Sequence, residues 1–503
     1  MAGIGFELKK LFSRKGLVAT VRAYGYATMV CAGPMLLGFL LLLACMFMAD
    51  FAGAVRHSRE LLVTMLTHAL VMSLVVTSLF SMLTTRFCAD MLYEKKYAPI
   101  ITSFYGSLWI MLILGGVLYG IFLHFSGVAL IYRIQSWALF MVLIVVWTEI
   151  NYLTMLKNYR SIIAAFAVSA LIALLLGALL IWLFKVEVIS ALMASVTIGY
   201  SVMLVWYFRL IYQYFPEGKG TSLRFLQWLD TMPQLSVTGF LVTVGLFGHL
   251  VDMWWFSKIN VQVEGLFYGA PTYDVPAIFA FFSILVTTVN FNTFVETRFY
   301  VRYKEYFSLF NDGGSIKNIN EAEQTMIHIL ADELGYMSLK QIFSTLIFII
   351  FGSILLPLLP LGFSSEMLRT FRVLCVGYAF YAIGNSVMLC SQYFADLTGA
   401  LLSALVFAIV SNVATVLLAV FVNSYWGFGF LLGSLLFAVV AIIRLCAYLR
   451  KLKYHVLSRQ PLFAYQREGI FTRLADTLDR RALRVQRRYG QEEFNEQARK
   501  ESD

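Results

Sequence analysis

The feature that most limits what this chain can become is the recurrence of apolar blocks, each 20 residues or more, parted by short charged loops. About 20 apolar residues in a helix cross a hydrocarbon core of roughly 30 Å. With 60% of its 503 residues apolar and 14% charged, against roughly 25% charged in an average soluble domain, the chain carries more apolar surface than a globule could hide. The blocks therefore read as membrane spans, at 18–48, 61–83, 100–125, 134–156, 162–184 and 188–210, then 235–256, 276–296, 342–361, 371–394, 399–421 and 425–449. The expectation is an all-α membrane protein of about 12 transmembrane helices.

An even number of spans puts both termini on one side. Cytoplasmic loops retain Lys and Arg, and the odd-numbered loops hold Arg56, Arg59, Arg133, Lys185, Lys258, Arg369 and Arg372, seven of the 39 basic residues. The other 32 fall on the terminal side. Both termini are expected in the cytoplasm of a multi-pass inner-membrane protein. This gives a cytoplasmic segment 1–17, a six-helix bundle 18–210, a linker 211–234, a second bundle 235–449 with a cytoplasmic loop 297–341, and a basic tail 450–503. The net charge of +10 is read as topology, and no nucleic-acid partner is expected.

The halves echo each other. Thr85-Arg86-Phe87 and Thr297-Arg298-Phe299 close the second and eighth spans, while Asn151, Tyr159 and Ser169-Ala170-Leu171 match Asn385, Tyr393 and Ser403-Ala404-Leu405 at an offset of 234. Copies of six spans share one orientation, as in transporters with parallel repeats. Two pseudo-symmetric six-helix bundles with a cavity between them are expected. In the loop, Ile319, Met326, Ile327, Leu330, Leu334 and Met337 recur at helical spacing beside an acidic face of Glu321, Glu323, Asp332 and Glu333. In the tail, Leu474, Leu478 and Leu483 lie among Arg473, Arg480, Arg481, Arg484, Arg487 and Arg488, a basic amphipathic helix suited to anionic headgroups or a soluble partner.

Ionisable groups inside spans are costly and by default face a cavity or a partner. Glu149 lies deep in the fourth span with Trp147, Asn151 and Tyr152 within a turn. A carboxylate beside a flat ring suits a passing cationic amino sugar, and a bond to a neighbouring helix or proton coupling are the alternatives. His68 reads as a packing residue or a path residue. His249 and Asp252, three apart, could bind each other or a ligand. Trp254 and Trp255 suit an interfacial belt or a stacking platform. Tyr378, Tyr381 and Asn385 form one polar-aromatic stripe in the tenth span. Arg86 and Arg298 end corresponding helices as topology anchors or as gate residues with Asp90 and Glu296. Pro34 after Gly33 should kink the first helix. The six cysteines show no CxxC or Cys/His ligand spacing, so neither disulfide nor metal nor cofactor is expected.

The opening Met1-Ala-Gly-Ile-Gly-Phe-Glu-Leu-Lys-Lys-Leu11, then Arg22-Ala-Tyr-Gly-Tyr26 and Gly33-Pro34, resembles the start of the PelG proteins, membrane components of bacterial Pel exopolysaccharide export. Thr85-Arg86-Phe87 with Ala89-Asp90-Met-Leu-Tyr-Glu94, Glu296-Thr-Arg-Phe-Tyr300, and Met326, Leu330, Leu334 and Gln341 are similar to the same family. The resemblance implies a twelve-helix relative of the multidrug/oligosaccharidyl-lipid/polysaccharide (MOP) flippase superfamily, MATE-like in fold. It further implies export of a polymer rich in N-acetylgalactosamine for biofilm matrix, a cytosolic glycosyltransferase, and companion inner-membrane Pel proteins including a cyclic di-GMP sensor. The tail after residue 460 is not part of the recognised pattern.

No Walker A, GxSxG or HExxH pattern occurs, so the chain is read as a transporter and not an enzyme. The rivals are a membrane-embedded glycosyl- or acyltransferase, with Glu149 or His68 catalytic, and a small-molecule drug exporter of MATE-like fold.

Overall fold

In the computed structural model, residues 38–153, 159–216, 221–311, 313–359, 362–422, 424–458 and 469–480 are described. The N-terminal motif, the expected Pro34 kink, most of the first span and the arginines beyond 480 lie outside them. What remains of the first span is α1, Gly38–Phe51. Among the described residues 11 further helices are long and apolar enough to cross a membrane.

The first half comprises α2 (Arg56–Tyr93), α3 (Ala98–Phe125), α4 (Leu130–Leu153), α5 (Tyr159–Ala178) and α6 (Val188–Tyr214). The helices other than α2, which is mostly buried, present an apolar face outward: on α3, Trp109, Ile113, Val117 and Ile121 are exposed at every fourth position, the stripe lipid would cover. The opposite faces make a core in which α4 packs on α2, α3 and α6. Small residues allow the closest approaches, as where a Cβ on Gly199 of α6 would lie 2.8 Å from the Ser169 carbonyl of α5.

A short linker, with a 3-10 turn at Arg224–Leu226 and α7 at Gln227–Thr231, leads to the second half. That half begins with α8 (Pro233–Phe256), followed by strands β1 (Val261–Glu264) and β2 (Phe267–Gly269), then α9 (Pro271–Phe281), α10 (Leu285–Phe294) and α11 (Tyr300–Asn311). It ends with α12 (Ile316–Leu355), α13 (Ser365–Tyr393), α14 (Leu397–Leu417), α15 (Phe428–Leu449) and α16 (Leu452–Ser458). The end of α2 meets the linker, and its start meets the β-hairpin. These contacts define a linker face and a hairpin face of the molecule.

The duplication is visible in irregularities. Both α5 and α14 end in a π-helical turn, at Leu179–Leu183 and Leu418–Val422. Each chain then turns through a left-handed residue, Lys185 (φ 52°) or Tyr425 (φ 59°).

Three differences from the sequence reading matter. The eighth span is a broken rod, α9 to α11, interrupted by a 3-10 turn at Phe282–Ile284 and a π turn at Val295–Phe299. Gln341 of α12 grips the first break: its Nε2 donates to the Ser283 carbonyl (3.1 Å) and to Thr345 (2.9 Å), while Thr287 donates to its Oε1. Second, the acidic loop helix and the ninth span are one 40-residue helix. At 1.5 Å per residue it is about 60 Å long, twice the hydrocarbon core. Its exposed surface turns apolar at Ile342, Phe343, Leu346, Ile347 and Ile350, so its first half stands outside the lipid. Third, residues 261–269 form a hairpin where only a short loop was expected.

Candidate functional site

The seam between the halves is built largely by α2 against α8, and Val71 of α2 belongs to the same buried cluster as Val242 and Leu246 of α8. Toward the linker face, Ser236 donates to the Leu79 carbonyl, and a Cβ on Gly239 would lie 2.9 Å from the Ser78 carbonyl. Gln392 of α13 points its Nε2 at the Met82 sulfur, 3.6 Å away.

At the hairpin face the seam is shut by the β-hairpin of the second half. Its turn residue Gly265 has φ 56°, a conformation glycine adopts without penalty. A Cβ there would lie 1.7 Å from the Ser126 carbonyl of the first half. The next residue, Leu266, donates its N–H to that carbonyl at 2.9 Å, and Glu264 meets His57 at 3.5 Å. Phe267 is wholly buried and belongs to the core of the first half. Its ring meets Phe122 (5.5 Å) and His68 (5.2 Å) edge to face.

His68 is the polar centre of this closure. Its imidazole stacks on Trp254 across the seam at 4.3 Å and 21°. Nδ1 lies 2.8 Å from the Thr64 carbonyl, and Nε2 is buried with no partner. Trp254 donates Nε1 to both oxygens of Asp274 (3.0 and 2.9 Å), so it is a buried anchor, whereas Trp255 is exposed. His249 turns into the second bundle, where Nδ1 lies 2.8 Å from the Tyr273 hydroxyl and the ring leans on Phe430 at 4.3 Å. Its Nε2, and Oδ2 of half-buried Asp252, are buried without partners. The two residues do not bond each other.

The tenth-span stripe divides. Tyr378 joins the His249 cluster, 4.7 Å from Phe430 and 5.3 Å from Phe281, while Tyr381 packs on Phe407 (5.5 Å) and Phe437 (6.3 Å) inside the bundle. Asn385 is half-buried.

Glu149 sits on α4 in the interior of the first bundle, fully buried, with neither carboxylate oxygen hydrogen-bonded. Its neighbours are committed elsewhere. Trp147 donates to Ser73 on α2 (3.0 Å), Thr148 approaches Met111 on α3, and the Tyr152 hydroxyl lies 3.1 and 3.2 Å from Ser103 and Ser107 on α3. Tyr152 is thus held against α3, and Asn151 is half-buried. An unpaired buried carboxylate costs several kcal/mol, which makes Glu149 the most anomalous group in this half.

On the linker face, Arg86 pairs with Asp90 at 3.2 Å, and Asp90 also accepts from Trp228 of the linker at 2.9 Å. Arg298 pairs with Glu333 of α12; the side chain of Glu296 lies outside the described residues. The acidic face of α12 is largely satisfied within the chain, Glu323 by Lys453 (2.9 Å) and Asp332 by His328 (2.8 Å). The sequence reading missed Asp396, which is fully buried, caps α14 through the Gly399 N–H, and holds Arg444 of α15 with two bonds of 2.8 and 2.9 Å. Forty-eight residues separate the partners, so spacing offered no clue.

The PelG family model, described as "Putative exopolysaccharide Exporter (EPS-E)", matches residues 1–457. No curated protein matches the chain. Among solved structures, a mutant MATE protein superposes with a TM-score of 0.56 at 12% identity, covering 91% of this chain and 100% of its own. An outward-facing multidrug-resistance MATE transporter of the MOP superfamily gives 0.55 at 12% identity, over 86% of this chain and 96% of its own. A MOP superfamily transporter from Pyrococcus furiosus gives 0.52 at 12% identity over the same shares, 86% and 96%. Identity this low speaks for the fold alone, and the family match covers both bundles and the seam between them. The chain accordingly belongs to the PelG family and is a multi-pass membrane transporter of MATE/MOP fold.

Proposed function

We propose that this protein exports an amino-sugar exopolysaccharide rich in N-acetylgalactosamine from the cytoplasm to the periplasm across the bacterial inner membrane, for biofilm matrix. In this reading the linker face is cytoplasmic, in keeping with its load of Lys and Arg, and the hairpin face is periplasmic. The polymer passes along the seam between α2 and α8. The carrying observation is the family match over residues 1–457, which takes in the whole membrane body described above. The seam's chemistry supports it. His68 and Trp254 offer a flat imidazole–indole pair that parts when the bundles separate, with an unspent ring nitrogen on His68. An aromatic face with a polar edge suits a sugar ring. In the closed arrangement His249, Tyr378 and Tyr381 are packed inside the second bundle and Glu149 and Tyr152 inside the first, so these residues, with Asp252, Asn385 and Asn151, would meet polymer only through a rearrangement within each bundle and not at the seam as it stands. Arg86, Asp90, Glu296 and Arg298 would gate the cytoplasmic entrance.

The partners in this reading are a cytosolic glycosyltransferase and companion inner-membrane proteins of the same system, one of them a cyclic di-GMP sensor. The chain itself runs no covalent chemistry. Deleting the gene should abolish secreted polysaccharide and leave drug tolerance unchanged; the reverse pattern would make it a drug exporter. Turnover of a UDP-sugar or acyl donor by the purified, reconstituted protein would make it a transferase. Glu149→Gln should impair export with normal membrane insertion, and wild-type export by that variant removes Glu149 from the path.

A further inference from the structure

The family match ends at residue 457, yet the chain beyond it returns to the molecule. A helix over residues 470–480 lies on the linker. Helix N-termini need acceptors for their first N–H groups, usually a side chain at the capping position. Here that position is Gly469, whose carbonyl accepts from the Arg473 N–H at 3.2 Å and which has no side chain to serve. Asp230 of the linker does the capping. Its carboxylate accepts from the N–H of Phe471 (3.2 Å), the N–H of Thr472 (2.7 Å) and the Thr472 hydroxyl (2.7 Å). A Cβ on residue 469 would fall 2.1 Å from the Asp230 carboxyl carbon, so the glycine makes room for the acid. Burial pushes the Asp230 carboxyl up, but these three bonds outweigh it and hold it below the usual carboxylate range. Nearer the other end, Asp479 accepts from the Leu223 N–H and the Ser222 hydroxyl, both at 3.0 Å. Between them Ala475 is fully buried in the core of the first half.

What the helix grips is itself fastened to the first half. Ser222 donates its N–H to the Thr102 carbonyl of α3 at 3.0 Å, and Trp228 is bonded to Asp90 of α2. The helix comes, however, from the second half: Leu452 of α16 is buried in that half's core, and Lys453 pairs with Glu323 of α12. Residues 452–458 thus lie on the second half, and residues 469–480 lie on the first half and its linker. We propose that residues 469–480 are a built-in clasp, closed by Asp230 and Asp479, that holds the linker-face end of the seam shut and must release for that end to open. The inference rests on the transporter fold and not on the identity of the cargo.

The test uses the full chain with Met82→Cys as reporter, because Met82 lies where Gln392 reaches across the seam, with exposed Cys446 replaced by Ser. Releasing the clasp with Asp230→Ala and Asp479→Ala together should raise the rate of thiol labelling at residue 82 about tenfold, the scale set by losing cap-type bonds at two sites. Deleting residues 459–503 should do the same if the double variant is poorly folded. Joining Ser222→Cys to Asp479→Cys with a short bifunctional thiol reagent should slow labelling and stop export, and a reducible linker should restore both on reduction. Labelling that is unchanged by release and by full cross-linking overturns the clasp. Failure of the parent protein to export polymer counts against the cargo assignment instead, since the labelling arm needs no cargo.

Discussion

Removing the Phe267 ring should unlock the hairpin face. The ring is a knob from one half seated in the core of the other, so its burial free energy favours the closed seam and is lost when the hairpin lifts away. Phe→Ala in a well-packed core costs about 3–5 kcal/mol. Taking the lower figure, because a hairpin can settle more readily than a core helix, the ratio of open to closed hairpin rises about a hundredfold at 1.4 kcal/mol per tenfold. The reporter is Val71→Cys, buried behind the closure between α2 and α8, labelled by an impermeant thiol reagent applied at the hairpin face. Phe267→Ala should speed labelling on that scale while the protein stays folded and monodisperse in detergent, its thermal midpoint lowered by no more than the lost burial accounts for. Gly265→Val should act in the same direction, because its Cβ would collide with the Ser126 carbonyl. If both variants fold and label at the parent rate, the hairpin is not the closure, and the His68–Trp254 stack or the α2–α8 packing must hold the seam unaided.

Three further outcomes follow from other contacts. Arg444→Ala should lower stability by about 1–3 kcal/mol, the scale for leaving a buried acceptor unmet, since Asp396 is fully buried while Arg444 is partly exposed, seen as a fall in thermal midpoint; Asp396→Asn with Arg444→Met should recover most of it. Gln341→Ala should cost about 1–3 kcal/mol by leaving buried acceptors unmet at the break between α9 and α10, again read from the midpoint. Because docking lowers the Asp230 carboxyl below its free value, that group favours the clasp fully above the ordinary carboxylate pKa near 4 and stops doing so only as pH falls through the docked value. Labelling at Met82→Cys should therefore be level between pH 6 and 8 once corrected for thiolate fraction, and a clasp-dependent step in that range would refute this account of Asp230.

Much of the fold was legible because lipid imposes one rule on every span. Block length and loop charge located the helices, and the echo between Ser169-Ala170-Leu171 and Ser403-Ala404-Leu405 pointed to the paired α5 and α14. What was not legible depends on contacts between distant residues. The run from Ile316 to Leu355 carries no proline, and its isolated Gly335 and Gly352 do not interrupt it, so a loop helix and a span fuse; charge marks where lipid begins, and that is not where the helix begins. Val261-Gln-Val-Glu-Gly-Leu-Phe267 carries a signal, alternation into a glycine turn, that the longer apolar blocks around it outweigh. In the candidate site, sequence could say that Glu149 was deep and costly. It could not say that Tyr152 is bound to Ser103 and Ser107, or that Asp230 caps a helix 240 residues away.

The β-hairpin of the second half lies on the first half at one face, residues 469–480 lie on it at the other, and in the proposed reading this placement has a consequence for coupling. Two bundles that rock about a shared seam cannot lift apart at both ends at once without leaking, so tightening one end must favour opening at the other. Cross-linking Ser222→Cys to Asp479→Cys should then add to the effect of Phe267→Ala, raising labelling at Val71→Cys above the rate in the same variant without the cross-link. Two independent flaps on a static body would give the same rate with and without it. The comparison needs no polysaccharide and no companion protein, and equal rates at full cross-linking would refute rocking while leaving each closure intact.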